Sequence, residues 1–137
     1  MGDRGDQAMR SIWGVLAIAG AFGAAGPAMA QEWTFVTESS TGSTHYYQSA
    51  SVKRSGNVVR AWSRENARDA DVEDDYPMVS DALEEFDCAA GRSRLIEIID
   101  RDDQYHEVER YDFTGESEWT DVAPDTVAAA KRAAFCK

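Results

Sequence analysis

The chain has 137 residues, a formal net charge of −11 and 43% hydrophobic residues, which suits one small domain with its own core. The excess of negative charge argues against nucleic acid and anionic membrane surfaces as partners, since both would repel it. Only two cysteines and two histidines are present, too few for a cysteine- or histidine-rich metal site.

Residues 1–30 read as a targeting segment. Arg4 and Arg10 flank its start, Ile12 to Phe22 is apolar, and Ala28-Met29-Ala30 offers the small residues of a cleavage site. The apolar run is shorter than the ~20 residues of a membrane span, so cleavage after Ala30 is expected rather than anchoring. An exported domain of residues 31–137 follows, periplasmic or secreted, with no membrane anchor after cleavage. The segment holds two Arg and two Asp, so the whole net charge stays with that domain.

The mature chain opens on Trp33-Thr34-Phe35-Val36-Thr37, which alternates as a half-buried strand does. Glu38 to Thr44 is a polar loop, and His45-Tyr46-Tyr47 reads as a short second strand. Ser51 to Asn57 is rich in turn residues and leads into Val58 to Arg64. There Val59, Ala61 and Ser63 fall on one face, and Val58, Arg60, Trp62 and Arg64 on the other. Trp62 lies between two arginines whose guanidinium groups could stack on it. With Tyr46 and Tyr47, these residues form a candidate partner surface for an acidic or aromatic ligand; an ordinary sheet surface is the plainer alternative.

From Glu65 to Asp87, ten acidic residues stand against the single Arg68. Asp69, Asp71, Glu73 and Asp75 are spaced two apart, as in calcium loops, but the sixth position is Asp74 and not the glycine such loops need. The reading is a solvated acidic loop, with those four residues a weak metal candidate. A strand then begins near Leu83 and runs to Cys88. Arg92 to Ile99 reads as a central strand covered on both faces, because Leu95, Ile96, Ile98 and Ile99 alternate onto both. Asp100 to Gln104 is a turn, and Tyr105 to Phe113 returns antiparallel. A short helix over Val127–Phe135 is marked by Pro124, by Asp125 or Thr126 as N-cap, and by late Lys131 and Arg132.

Cys88 and Cys136 are an even pair in an exported chain and read as a disulfide tying the helix to the sheet. A reactive thiol pair is the competing reading, but neither cysteine lies in C-x-x-C or near a histidine. The expected fold is one α+β domain: a small antiparallel sheet of about five or six strands with a C-terminal helix. His45 and His106 have no metal-ligand neighbour at a useful spacing, and nucleophile and phosphate-loop motifs are lacking. The expectation is a non-catalytic protein without cofactor.

The order EWTFV, SVKRSGNVVRAWSREN, FDCAAGRSRLIEI, WTDVAPDT and a terminal cysteine resembles the surface-adhesin protein E-like family, from Trp33 to Cys136. S-V-x-R-x-G-N-V-V-x-A-W and W-x-x-V-x-P are its most specific parts. The resemblance implies a small antiparallel sheet with a C-terminal helix and a disulfide. It also implies export in a Gram-negative bacterium and, as in the founding adhesin, binding of extracellular host proteins through a basic middle segment. Here the middle segment is acidic and no lipobox precedes the domain, so no binding residues carry over. The functional expectation is an exported cell-envelope or secreted module that binds a protein. A small periplasmic enzyme or enzyme inhibitor, or a divalent-cation binder, is the alternative.

Overall fold

The structure is a computed structural model that describes residues 32–137; the expected leader and its cleavage site lie outside the described residues. Eight strands appear in chain order: β1 (Thr34–Glu38), β2 (Thr44–Tyr47), β3 (Lys53–Ser55), β4 (Val58–Asn66), β5 (Val79–Asp87), β6 (Arg92–Arg101), β7 (Glu107–Asp112) and β8 (Thr120–Asp121). One helix, α1 (Val127–Phe135), follows. The strands form a single antiparallel sheet in the order β1-β2-β4-β5-β6-β7. β3 pairs with the start of β4, and β8 with the start of β6.

The middle of the sheet follows from alternation. In β4, Val59, Ala61 and Ser63 are buried while Arg60 is exposed, as the period of two requires. The two-residue turn Gly56-Asn57 joins β3 to β4; Gly56 sits at φ +60°, a value suited to the primed turns that match strand twist. Gly91 closes the β5–β6 hairpin at φ +68°, and a side chain there would press on the Arg132 guanidinium.

α1 covers one face over β1, β2 and β4. Thr126 is its N-cap, accepting from the Ala129 N–H at 3.1 Å. Phe135 is the anchor: its ring packs 5.0 Å from that of Phe86 and 5.6 Å from that of Tyr47, with Val59 and Ala61 beside them. The Cys88–Cys136 disulfide fastens the helix end, with Cα atoms 5.8 Å apart. Closing its span of 48 positions contributes about 4 kcal/mol by restricting the unfolded chain. Arg132 adds a bond to the Cys88 carbonyl at 2.7 Å, and Lys131 an ion pair to Glu84 at 2.7 Å.

Three expectations change. The strand expected from Leu83 starts at Val79 and ends before Cys88, and short strands stand within the turn-rich segment at Lys53–Ser55 and next to Trp119. β6 is central and buries Ile96 and Ile99, but α1 lies over β1, β2 and β4. The acidic segment is only partly a loop. Asp81, Glu84, Glu85 and Asp87 are strand residues of β5, each paired with a cation on a neighbouring element.

Candidate functional site

The face of the sheet away from α1 carries the ordered polar chemistry. Residues directly opposite in an antiparallel ladder share a face. The register therefore sets Phe35, Tyr46, Arg64, Asp81 and Ile99 in one row across five strands. Trp62, Leu83 and Glu97 form the next row, and Arg60, Glu85 and Arg94 the one after.

Two carboxylates organise the face. Asp81, 4% exposed, accepts two bonds from Arg64 at 2.6 and 2.7 Å and a third from Arg101 at 2.8 Å. Glu85, 7% exposed, takes Arg60 on one oxygen at 2.8 Å and Arg94 on the other at 2.7 Å. Burial by itself would raise the Glu85 carboxyl, but the bonds from Arg60 and Arg94 outweigh it and hold Glu85 below the usual carboxylate range. Each carboxylate is shared by two arginines, so each triad carries one net positive charge on a protein that is strongly acidic as a whole.

Aromatic rings cap the triads. The Arg64 guanidinium lies 4.4 Å from the Trp33 ring centre and 4.8 Å from that of Tyr105, and Arg68 lies 4.4 Å from Tyr105 on the same ring system. Arg94 and Arg92 lie 4.4 and 5.5 Å from Trp119. Phe35, 57% exposed, meets Tyr46 edge-on at 5.8 Å. Stacked and forked in this way, the arginines hold fixed directions on a rigid sheet, and little side-chain entropy remains to be lost on contact with a partner.

Of the five expected surface residues, Arg60, Trp62, Arg64 and Tyr46 share this face. Tyr47 does not: it points the other way and is buried against Phe135. The expected stacking of Arg60 and Arg64 on Trp62 is replaced by ion pairing of Arg60 with Glu85 and stacking of Arg64 on Trp33 and Tyr105. Neighbours across the sheet outcompete neighbours along the strand. Trp33, Tyr105, Trp119, Arg94, Arg101, Asp81 and Glu85 are the members that sequence reasoning missed. Their signal was present: Asp81, Glu85 and Asp87 alternate along β5 as Arg60 and Arg64 do along β4 and Arg92 and Arg94 along β6.

The acidic loop was expected to be solvated, with four of its carboxylates a weak metal candidate. Asp69, Asp71, Glu73 and Asp75 are not drawn together, and among the described residues no group of three or more His, Cys, Asp or Glu could hold a metal ion. On the helix side His45 is buried, 3.9 Å from Glu65, and neither ring nitrogen has a hydrogen-bond partner among the described residues. Burial lowers its pKa, assisted by Lys131 and opposed by Glu65 and Glu84. Ser63 donates to Glu84 at 2.6 Å and Tyr76 to Glu65 at 2.9 Å, so neither hydroxyl is bonded to the imidazole. A groove of about 730 Å³ between the end of β1 and the start of α1 is lined by short polar residues, Glu38 and Asp125, away from the arginine face.

The model of the family described as surface-adhesin protein E matches residues 33–137, the whole disulfide-tied domain. The chain belongs to the surface-adhesin protein E family. No curated protein and no solved structure matches it. The family points to an adhesin-like surface protein rather than an enzyme, and no helix among the described residues is long and apolar enough to cross a membrane. Within an adhesin, a rigid face rich in arginine and aromatic rings is the type of surface on which contact energy concentrates, since these residues dominate interface hot spots.

Proposed function

We propose that this chain is an exported, non-catalytic binding module of the adhesin E type that contacts an extracellular or envelope protein through the face away from α1. Family membership over the whole domain supports the adhesin reading. The two arginine–carboxylate triads and their aromatic caps support the choice of face, because they add local positive charge and flat apolar area to an otherwise acidic surface. Anionic or aromatic groups on a partner fit that chemistry: carboxylates bind the outward edges of Arg60 and Arg94, and rings stack beside Phe35 and Tyr46.

The oxidised domain, residues 31–137, immobilised and exposed to extracellular-matrix proteins and to envelope extract, should retain a saturable partner. Retention no greater than on an unrelated acidic domain of similar size would remove this reading.

A further inference from the structure

The sheet leaves β7 at its outer edge. Among the described residues β7 pairs only with β6, and all six of its residues are exposed. Its free side offers backbone N–H and C=O groups to another strand. The ladder passes from Asp100↔Glu109 to Arg101↔Glu107, so Val108 is an extra, bulged residue.

Beside this edge, on the α1 side of the sheet, lies a cleft of about 360 Å³. Its apolar surface comes from Met78, Val108 and Tyr111, which are 47%, 67% and 38% exposed. Four carboxylates, Asp75, Asp100, Asp102 and Glu109, line it as well. Asp100 and Glu109 stand directly opposite each other, an arrangement that like charges disfavour. Arg101 is the one cation of the lining, but it is committed elsewhere, to Asp81 and to the Tyr105 carbonyl. Among the described residues Asp75, Asp100 and Glu109 form no ion pair, and Asp100 is bonded only to the neutral Ser80 hydroxyl.

The cleft therefore calls for positive charge carried on an apolar stem, next to an edge that accepts extended backbone. A compact metal ion does not fit, because no three acidic or imidazole side chains converge. A second copy is disfavoured as occupant: β7 carries three acids, Glu107, Glu109 and Asp112, against the single Arg110, so its antiparallel pairing with itself joins two acidic edges and, centred on the strand, sets Glu107 opposite Asp112. We propose that β7 and this cleft dock a basic, extended segment of a partner protein. The segment adds a strand to β7 and places one lysine or arginine between Asp100 and Glu109, its methylenes lying on Met78, Val108 and Tyr111. The site is separate from the arginine face and takes the opposite charge.

The test uses the disulfide-intact domain and three short labelled peptides, read by fluorescence anisotropy. One alternates lysine with valine, a second replaces lysine by glutamate, and a third is the lysine peptide with alternate backbone nitrogens methylated. The lysine peptide should bind saturably at one site, and the glutamate peptide should not. The methylated peptide, with the same charge but no strand hydrogen bonds, should bind about tenfold more weakly. Glu109→Lys should weaken the lysine peptide by about tenfold or more, Glu109→Gln by less, and Arg60→Gln on the far face should leave it unchanged. Glu109 is exposed, so unchanged melting of both variants will show that folding is intact. Equal binding of the methylated peptide, or indifference to Glu109→Lys, would overturn the proposal. So would concentration-dependent dimerisation of the domain that Glu109→Lys alters, since the occupant would then be a second copy.

Discussion

Replacing Asp81 by alanine removes the one acceptor that Arg64 and Arg101 share. The carboxylate is 4% exposed and takes three bonds of 2.6 to 2.8 Å from the two arginines. Without it two cations face each other in a partly dry setting. Breaking a buried pair by removing one member costs about 3–5 kcal/mol. The Arg64 and Arg101 side chains keep 17% and 22% of their exposure and can turn toward water, so the lower end, about 3 kcal/mol, applies. For a domain of this size 1 kcal/mol moves the melting temperature by about 4–8 °C, so Asp81→Ala should melt roughly 12–24 °C lower. Calorimetry at neutral pH with the disulfide intact measures this. Trp33 emission gives a second readout, since the Arg64 guanidinium lies 4.4 Å from its ring. Asp87→Ala, which removes a looser and more exposed pair with Arg92 and the Ala90 N–H bond of the β5–β6 turn, is the comparison and should melt clearly less far below wild type than Asp81→Ala. A fall of less than about 3 °C for Asp81→Ala would refute the claim that the triads hold this face.

Reducing the disulfide, or replacing Cys88 and Cys136 by serine, should cost about 4 kcal/mol, read as a lower denaturant midpoint. Phe135→Ala, at the centre of the core, should cost about 3–5 kcal/mol and release α1, seen as lost helical circular dichroism. Acid should destabilise the domain in two stages. The pKa of His45 is lowered by burial, so the folded state binds this proton less readily than the unfolded chain, and stability falls as pH drops below 6.5. Glu85 is held below its ordinary 4.5 by Arg60 and Arg94 against the effect of burial, so its contribution is present above that pH and lost below it. Denaturant midpoints between pH 2 and 8 should show the upper stage vanish in His45→Leu while the lower stage remains; an unchanged upper stage would assign it to another group.

Local pattern made much of the fold legible. The alternation of Val59, Ala61 and Ser63 fixed which face of β4 is buried, and Thr126 with the alanine run marked α1 at its observed bounds. Cys88 and Cys136, the only two cysteines, form the disulfide expected of them. What stayed hidden depends on register. Acidic composition made the segment up to Leu83 read as loop, and although the acids of β5 alternate as the arginines of β4 and β6 do, only the strand register shows that Asp81 and Glu85 lie between those arginines. Tyr46 and Tyr47 read as a pair, yet adjacent strand residues point to opposite faces, and only Tyr46 reaches the arginine side. Trp33 and Tyr105, far apart in sequence, meet at Arg64 only through the sheet.

The arginine face is the centre of this account, and variants that spare the fold test it best. Phe35 and Arg60 are both exposed on that face, whereas Ala133 is exposed on α1 at the opposite side. Binding of the oxidised domain to immobilised extracellular-matrix proteins, followed by biolayer interferometry, should be saturable in the wild type and in Ala133→Gln. Phe35→Ser with Arg60→Gln should weaken it by about tenfold or more, while Arg94 still pairs Glu85 and the variant, melting lower than wild type, stays folded at the assay temperature. Equal binding of all three proteins would contradict the assignment of this face.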